Sequence, residues 1–451
     1  MKTEKPISTS PPSARGRAVR QLERIEQAGA FVGFSGEDEG SEIDPRDERL
    51  VTEYVAGVTR WRRWLDFLLA SAYRDNLEKM EPRLRQILRV GLYDLLYLNT
   101  PPHAALNEAV NLAKRQVRPG AGGLVNGILR TLHRRQGDLP QPDTGDPAED
   151  LAIRYSHPTW MAARWLERYG TDRTVALLEW NDSRPVYGVR INTLKGSVSD
   201  FHGLLDAHGI SWEPSPYLET FVRTGRVQGL VQTGFLADGH CAVQDESAGL
   251  IVALLDPQPG ETVVDCCAAP GGKSTHAAQR MRNEGRVIAF DVHEGRLALV
   301  RRAAEQQGAA IVETHAGDFR EAPTRFDGLQ ADRVLLDAPC SGLGVLAKRA
   351  DLRWNRSPEE IEQLTHLQDE LLDAAARVVR PGGLLVYSTC TIEPEENEGW
   401  VAAFLARRPE FALESASGFV PEEMVSAEGF YSTFSPRDRI DGAFGARLRR
   451  K

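Results

Sequence analysis

From residue 241 onward the chain alternates short buried strands with helices, and one junction in that run limits the possible folds more than any other stretch. ETVVD (261–265) is a strand ending in Asp265. The chain then turns on the small residues Cys266, Cys267, Ala268, Ala269, Pro270, Gly271 and Gly272, and a helix opens at Lys273 and Ser274. RVIAFD (286–291), RVLLDAP (333–339) and GGLLVYSTC (382–390) repeat the strand signal, with helical segments at 273–282, 293–307, 358–379 and 395–408. Such alternation predicts a parallel, doubly wound α/β sheet that binds ligands at the C-terminal edge of its strands. Small residues in the first turn let a ligand approach the backbone, and the helix N-terminus offers free N–H groups. Two familiar phosphate loops do not fit: G-x-x-x-x-G-K-[ST] needs glycine where Cys267 stands, and G-x-G-x-x-G is absent. Asp291 ends the second strand and Asp318, in AGDF, ends the next unit. A carboxylate at the second strand end grips ribose hydroxyls, so an adenosine-bearing ligand without a P-loop is expected.

Only five cysteines occur, Cys241, Cys266, Cys267, Cys340 and Cys390. That sparse, odd count argues against a disulfide framework, and the polar N-terminus shows no secretory signal, so a reducing cytoplasm is expected. No apolar stretch is long enough to span a bilayer. Two cysteines stand out: Cys340 in Asp337-Ala338-Pro339-Cys340-Ser341-Gly342, and Cys390 in Ser388-Thr389-Cys390-Thr391, each just past a strand. An inert cysteine belongs inside a strand. In a Ser/Thr/Gly turn a thiol can be held as thiolate. Zinc is disfavoured, because there is no CxxC pair and the ten histidines do not cluster near these cysteines, so no metal is expected.

The first part of the chain is different. Helical spacing runs through 49–75, through Leu84, Ile87, Leu88, Leu92 and Leu95 after Pro82, and through 104–117 and 121–134. This predicts an all-α bundle over 15–135, with arginines on its outer faces, behind a disordered tail at 1–14 and an acidic loop at 35–48. Residues 136–150 read as a linker, 151–240 as a small α+β connecting domain, and 241–451 as the α/β domain. The net charge of −9 is uneven: residues 49–135 hold 15 basic against 7 acidic side chains. Such a basic segment on an acidic body points to nucleic acid; the alternative is that arginine decorates solvated faces.

DCCAAPGGKSTHAA, DAPCSGLG, RADLRW and STCTIEPEENE together resemble the RNA cytosine-C5 methyltransferases of the RsmB (Fmu/Sun) and NOP/NSUN type. GVTRWRRWLDFLL, LRVGLYDLLYL and GLVNGILR are similar to the NusB-like RNA-binding domain of the RsmB branch, and DGAFGARLRRK to the family's last strand. The resemblance covers about 15–451 and implies a Rossmann-like methyltransferase domain using S-adenosylmethionine. It implies that Cys390 is the nucleophile, that Cys340 helps release product, and that Cys267 through Lys273 wrap the cofactor. It further implies that Asp291 holds the ribose and Asp318 the adenine edge, and that Asp337 and Lys273 face both cofactor and target base. The implied target is 16S ribosomal RNA or a small-subunit assembly intermediate, acted on by a monomer. The alternatives are a transfer-RNA cytosine, or a non-catalytic ribosome assembly factor.

Overall fold

Apolar residues at three- and four-residue spacing build the first of two compact units, which comprises residues up to Asp182 together with Arg349–Asn355. The computed structural model describes residues 13–28, 44–326 and 328–451. The first unit contains α1 (Ala14–Ala28), α2 (Pro45–Arg60), α3 (Arg62–Ala72), α4 (Pro82–Tyr97), α5 (Pro102–Gln116), α6 (Ala121–Arg134), α7 (Pro147–Arg154) and α8 (Thr159–Asp182). α4 is its axis and is buried almost continuously from Leu84 to Leu95. α2 crosses α4 so closely that a Cβ at Gly57 would lie 2.1 Å from the Tyr93 ring.

Residues 1–12 of the expected tail lie outside the described residues, and Ala14 already opens α1. Residues 35–43 of the expected acidic loop also lie outside them. The rest of that loop is helix: Asp44 caps α2 by accepting from the Arg46 amide (2.8 Å), and Asp47 and Glu48 sit in the first turn, where the dipole favours acids. The continuous period over 49–75 resolves into α2 and α3, because Trp61 leaves helical geometry and stacks on Tyr97 (4.9 Å). Residues 147–150 of the expected linker form the first turn of α7, capped by Asp146.

The expectation of arginines on outer faces holds for Arg49, Arg74, Arg115, Arg118, Arg130, Arg134 and Arg135 and fails for others. Arg89 is 3% exposed, and its guanidinium is shared between Asp66 and Glu26. Arg15 pairs with Asp94, Arg83 with Glu23 and Arg63 with Glu149. A bundle of short helices carrying acids on neighbouring elements can use these cations internally. Lys114, Arg115, Arg118, Arg130, Arg134 and Arg135, on and just after α5 and α6, are the exposed ones there, and Arg118 pairs with Glu81.

Residues Arg349–Asn355 complete this unit. Arg353 is wholly buried and donates to Asp182 Oδ1 (2.8 Å), Ser156 O (3.0 Å) and Asn181 O (3.1 Å). The Trp354 indole donates to Thr59 O (2.7 Å), and the Arg62 guanidinium lies 4.1 Å above its ring.

The second unit, Ser183–Lys348 and Arg356–Lys451, holds two sheets. The smaller is antiparallel, in the order β2 (Glu213–Pro214), β3 (Phe221–Thr224), β1 (Tyr187–Ile191), β4 (Cys241–Val243). The larger comprises β5 (Thr262–Asp265), β6 (Arg286–Asp291), β7 (Val312–Ala316), β8 (Ala331–Asp337), β9 (Val379–Thr389), β10 (Phe411–Glu414), β11 (Tyr431–Ser432) and β12 (Phe444–Arg450). Its order is β10-β12-β9-β8-β5-β6-β7, with β11 beside β12. β6, β5, β8 and β9 are mutually parallel, as expected, and β7, where no strand was read, joins them in parallel beside β6. β12 runs antiparallel between β9 and β10, which makes the sheet mixed; strand residues carry no signal for direction. The order changes hand at β5 and β8, so the crevice for ligand opens at the C-terminal ends of those strands.

Candidate active site

The turn after β5 is tied to the end of β6. Ala268 N donates to Phe290 O (2.7 Å) and Ala269 N to Asp291 Oδ2 (3.3 Å), while Arg296 donates to Ala269 O (2.9 Å). The Ala269–Pro270 peptide is cis. Gly271 has φ +104°, and a Cβ there would meet the Val300 backbone at 3.0 Å, so glycine is required. The helix Gly272–Arg280 then starts at the expected place. Behind it Arg190 of β1, buried, donates to Gln244, Gln279, Thr275 and Gln307 and meets no carboxylate among the described residues. It pins this helix and the next one to the small sheet, a role that nothing in VRINTLK announced.

Asp291 is buried at the end of β6, beside the loop, and also accepts the His293 amide (3.0 Å). Asp318 caps the turn Phe319–Glu321, and both its oxygens meet the Arg320 guanidinium (3.0 Å), which holds its carboxyl below the usual range. Asp265 is buried: Oδ2 accepts from Ser274 Oγ (2.6 Å), and Oδ1 has no partner among the described residues. Burial raises its carboxyl to about 6, against the lowering effect of the Ser274 hydrogen bond. A narrow loop of small residues, a strand-end carboxylate at Asp291 and an unsatisfied buried acid at Asp265 suit a ligand with a ribose and a cationic amino acid end. S-adenosylmethionine has both.

Lys273 reaches from the helix to Asp337 at the end of β8 (Nζ–Oδ2 2.6 Å), and Ser388 of β9 donates to the other oxygen (2.9 Å). Burial works against the Lys273 charge, but Asp337, Cys390 and Asp265 outweigh it and keep the ammonium protonated. Cys340 follows β8, Cys390 follows β9, and their Sγ atoms are 3.3 Å apart. Cys390 is exposed and Cys340 half-buried. Burial pushes the Cys241 thiol up to about 12 and likewise raises Cys266 and Cys267. The geometry thus brings Cys340, Cys390, Asp337 and Lys273 to one strand edge, beside the loop Cys267–Lys273 and Asp291. Among the described residues no cluster of His, Cys, Asp or Glu is arranged to hold a metal, and no helix is long and apolar enough to cross a membrane.

Sequence reasoning passed over Glu396 and Asn397, both buried next to the cysteine loops. Their only signal was a hydroxyl directly after each cysteine, Ser341 and Thr391, which needs a partner when buried.

Residues 252–449 match the family described as 16S rRNA methyltransferase RsmB/F, residues 12–134 the NusB family, and residues 157–225 the ferredoxin-like domain of RsmF/B-like methyltransferases. The chain is 34% identical over 405 residues to the probable ribosomal RNA small subunit methyltransferase B of Bacillus subtilis, covering 88% of this chain and 89% of that protein. It is 35% identical over 412 residues to the Synechocystis protein of the same name, covering 90% and 92%. The crystal structure of PH0851 superposes with a TM-score of 0.80 at 29% identity, covering 98% of this chain and all of that one. Fold and strand-edge site therefore define an S-adenosylmethionine-dependent methyltransferase. More narrowly, the chain belongs to the 16S rRNA methyltransferase RsmB/F family.

Proposed function

We propose that the protein methylates carbon 5 of a cytosine in small-subunit ribosomal RNA through a covalent adduct with Cys390. The observation that carries this reading is the pair of thiols 3.3 Å apart, beside the Lys273–Asp337 ion pair at the strand edge. The names of the relatives favour the small-subunit target. Carbon 5 of cytosine is a poor nucleophile. Addition of the Cys390 thiolate to carbon 6 makes it enamine-like and splits one hard step into easier ones. Cys267, Ala268, Ala269, Pro270, Gly271, Gly272, Asp291 and Asp318 would hold S-adenosylmethionine, whose sulfonium would supply an electrophilic methyl group and leave as the neutral thioether. Asp337, fixed by Lys273 and Ser388, binds the polar edge of the base. Loss of the carbon-5 proton to a base restores the double bond and expels Cys390 as thiolate, with Cys340 assisting the release. The target base must be unstacked, so an RNA loop or single strand is required.

The test is incubation with small-subunit RNA, followed by bisulfite mapping and a denaturing gel. Cys390→Ala is expected to abolish transfer, and Cys340→Ala to accumulate a slow-migrating protein–RNA adduct. Normal methylation by Cys390→Ala would reject the nucleophile assignment.

A further inference from the structure

Two thiols 3.3 Å apart do not both ionise readily, because the first negative charge opposes the second. The side chains around them decide which one does. Lys273, held by Asp337 (2.6 Å), interacts electrostatically with Cys390 and Asp265. A different charge stands behind Cys340. Glu396 is fully buried, and its carboxylate accepts from Ser341 N (2.8 Å), Ser341 Oγ and Gln368 Nε2 (3.0 Å). Ser341 follows Cys340 directly, and its hydroxyl lies 2.8 Å from that of Thr391, which follows Cys390. Asn397 accepts from the Thr389 hydroxyl (2.6 Å) and donates to Thr391 O (3.1 Å). The dipeptide 396–397 thus laces both cysteine loops together. The Cys390 amide donates to Cys340 Sγ (3.3 Å), a bond that by itself favours a Cys340 thiolate and that the hydrogen bond with the Cys390 thiol, burial and Glu396 outweigh.

We propose that Glu396 is the positioning residue that assigns the two cysteines their roles, holding Cys340 as the neutral thiol so that Cys390 carries the charge. This rests on the reading of Cys390 as nucleophile. The other groups around the pair do not reverse it. Arg356 donates to Ser341 O (2.9 Å), on the backbone of the same loop. The Tyr387 hydroxyl donates to Glu396 O (2.7 Å), and burial keeps it neutral. Glu393 is buried in the turn after Thr391. Consistent with this, the Cys340 thiol is raised by its hydrogen bond with Cys390, by burial and by Glu396.

The test alkylates the folded protein with iodoacetamide across pH and reads each cysteine by mass spectrometry. The half-maximal pH reports ionisation rather than access. In the wild type the Cys390 midpoint is expected below that of Cys340. Glu396→Gln keeps the shape and removes the charge; it is expected to lower the Cys340 midpoint by about one pH unit or more and to narrow the gap. Glu396→Asp, which keeps the charge, should retain the wild-type order. An unchanged gap in folded Glu396→Gln, or a wild-type Cys340 midpoint at or below that of Cys390, overturns the proposal. If Glu396→Gln does not fold, Ser341→Ala decides: it removes the hydroxyl half of the tie while the Ser341 N–H bond and the charge remain, so the gap should change, and an unchanged gap overturns the assignment. The measurement uses neither RNA nor cofactor, so a failed methylation assay and a failed Glu396 assignment are told apart.

Discussion

Asp265 stands one residue before the cofactor loop as a buried acid with one satisfied oxygen. Its carboxyl sits at about 6, above its unfolded value, so the folded protein holds a proton there that the unfolded chain has already released. Stability from this group is therefore present at acidic pH and is lost as pH rises through 6. A cationic ligand reverses that penalty by favouring the ionised form. Affinity for S-adenosylmethionine is expected to fall about tenfold per pH unit below 6, measured by calorimetry. Asp265→Asn should flatten that dependence, and a flat wild-type profile would contradict it. At this scale the sequence was readable where chemistry and position disagree: cysteines in polar turns past strand ends are anomalous, and both fall in the site. Glu396 stayed hidden because PEENE reads as a solvated acidic run, and only the three-dimensional packing of Gln368 and Ser341 around it reveals a buried carboxylate.

Among elements, α5 and α6 carry the exposed cations suited to RNA phosphates, whereas Arg89 on α4 is spent on Glu26 and Asp66. The two kinds of arginine should separate experimentally. Replacing Arg115, Arg130, Arg134 and Arg135 by Gln is expected to weaken RNA binding and to reduce the salt slope by roughly 0.7–0.9 for each phosphate no longer neutralised, in filter-binding titrations, with thermal stability unchanged. Arg89→Leu should leave Asp66 without its guanidinium and Glu26 paired with Arg85 alone among the described residues, and cost about 3–5 kcal/mol, read by urea unfolding. Helix existence was legible from the apolar period, since α4, α5 and α6 follow it. Helix breaks were not: Trp61 interrupts a pattern that continues unbroken on paper. Charge counting gave the sign of the bundle but not which cations stay free, because pairing depends on acids up to about 80 residues away, as in Arg15–Asp94.

For the whole molecule, the parallel direction of the strands after 241 followed from the alternation, and the strand order did not. The antiparallel insertion of β12 and the placement of Arg349–Asn355 did not, since RADLRW carries no mark of the unit it joins. Asp182 is buried, and burial raises its carboxyl to about 7 against the pull of Arg353. Arg353→Ala in the full chain is expected to cost about 3–5 kcal/mol through that stranded acid, and an Asp182→Asn background should recover part of the loss. The split unit also sets a clock on synthesis. The helices up to Asp182 leave the ribosome without the arginine that fills their interior, and 173 further residues separate Asp182 from Asn355. At 5–20 residues per second that is a wait of roughly 10–35 s. During it Asp182 is without its guanidinium partner, which arrives only after the eighth strand has been made.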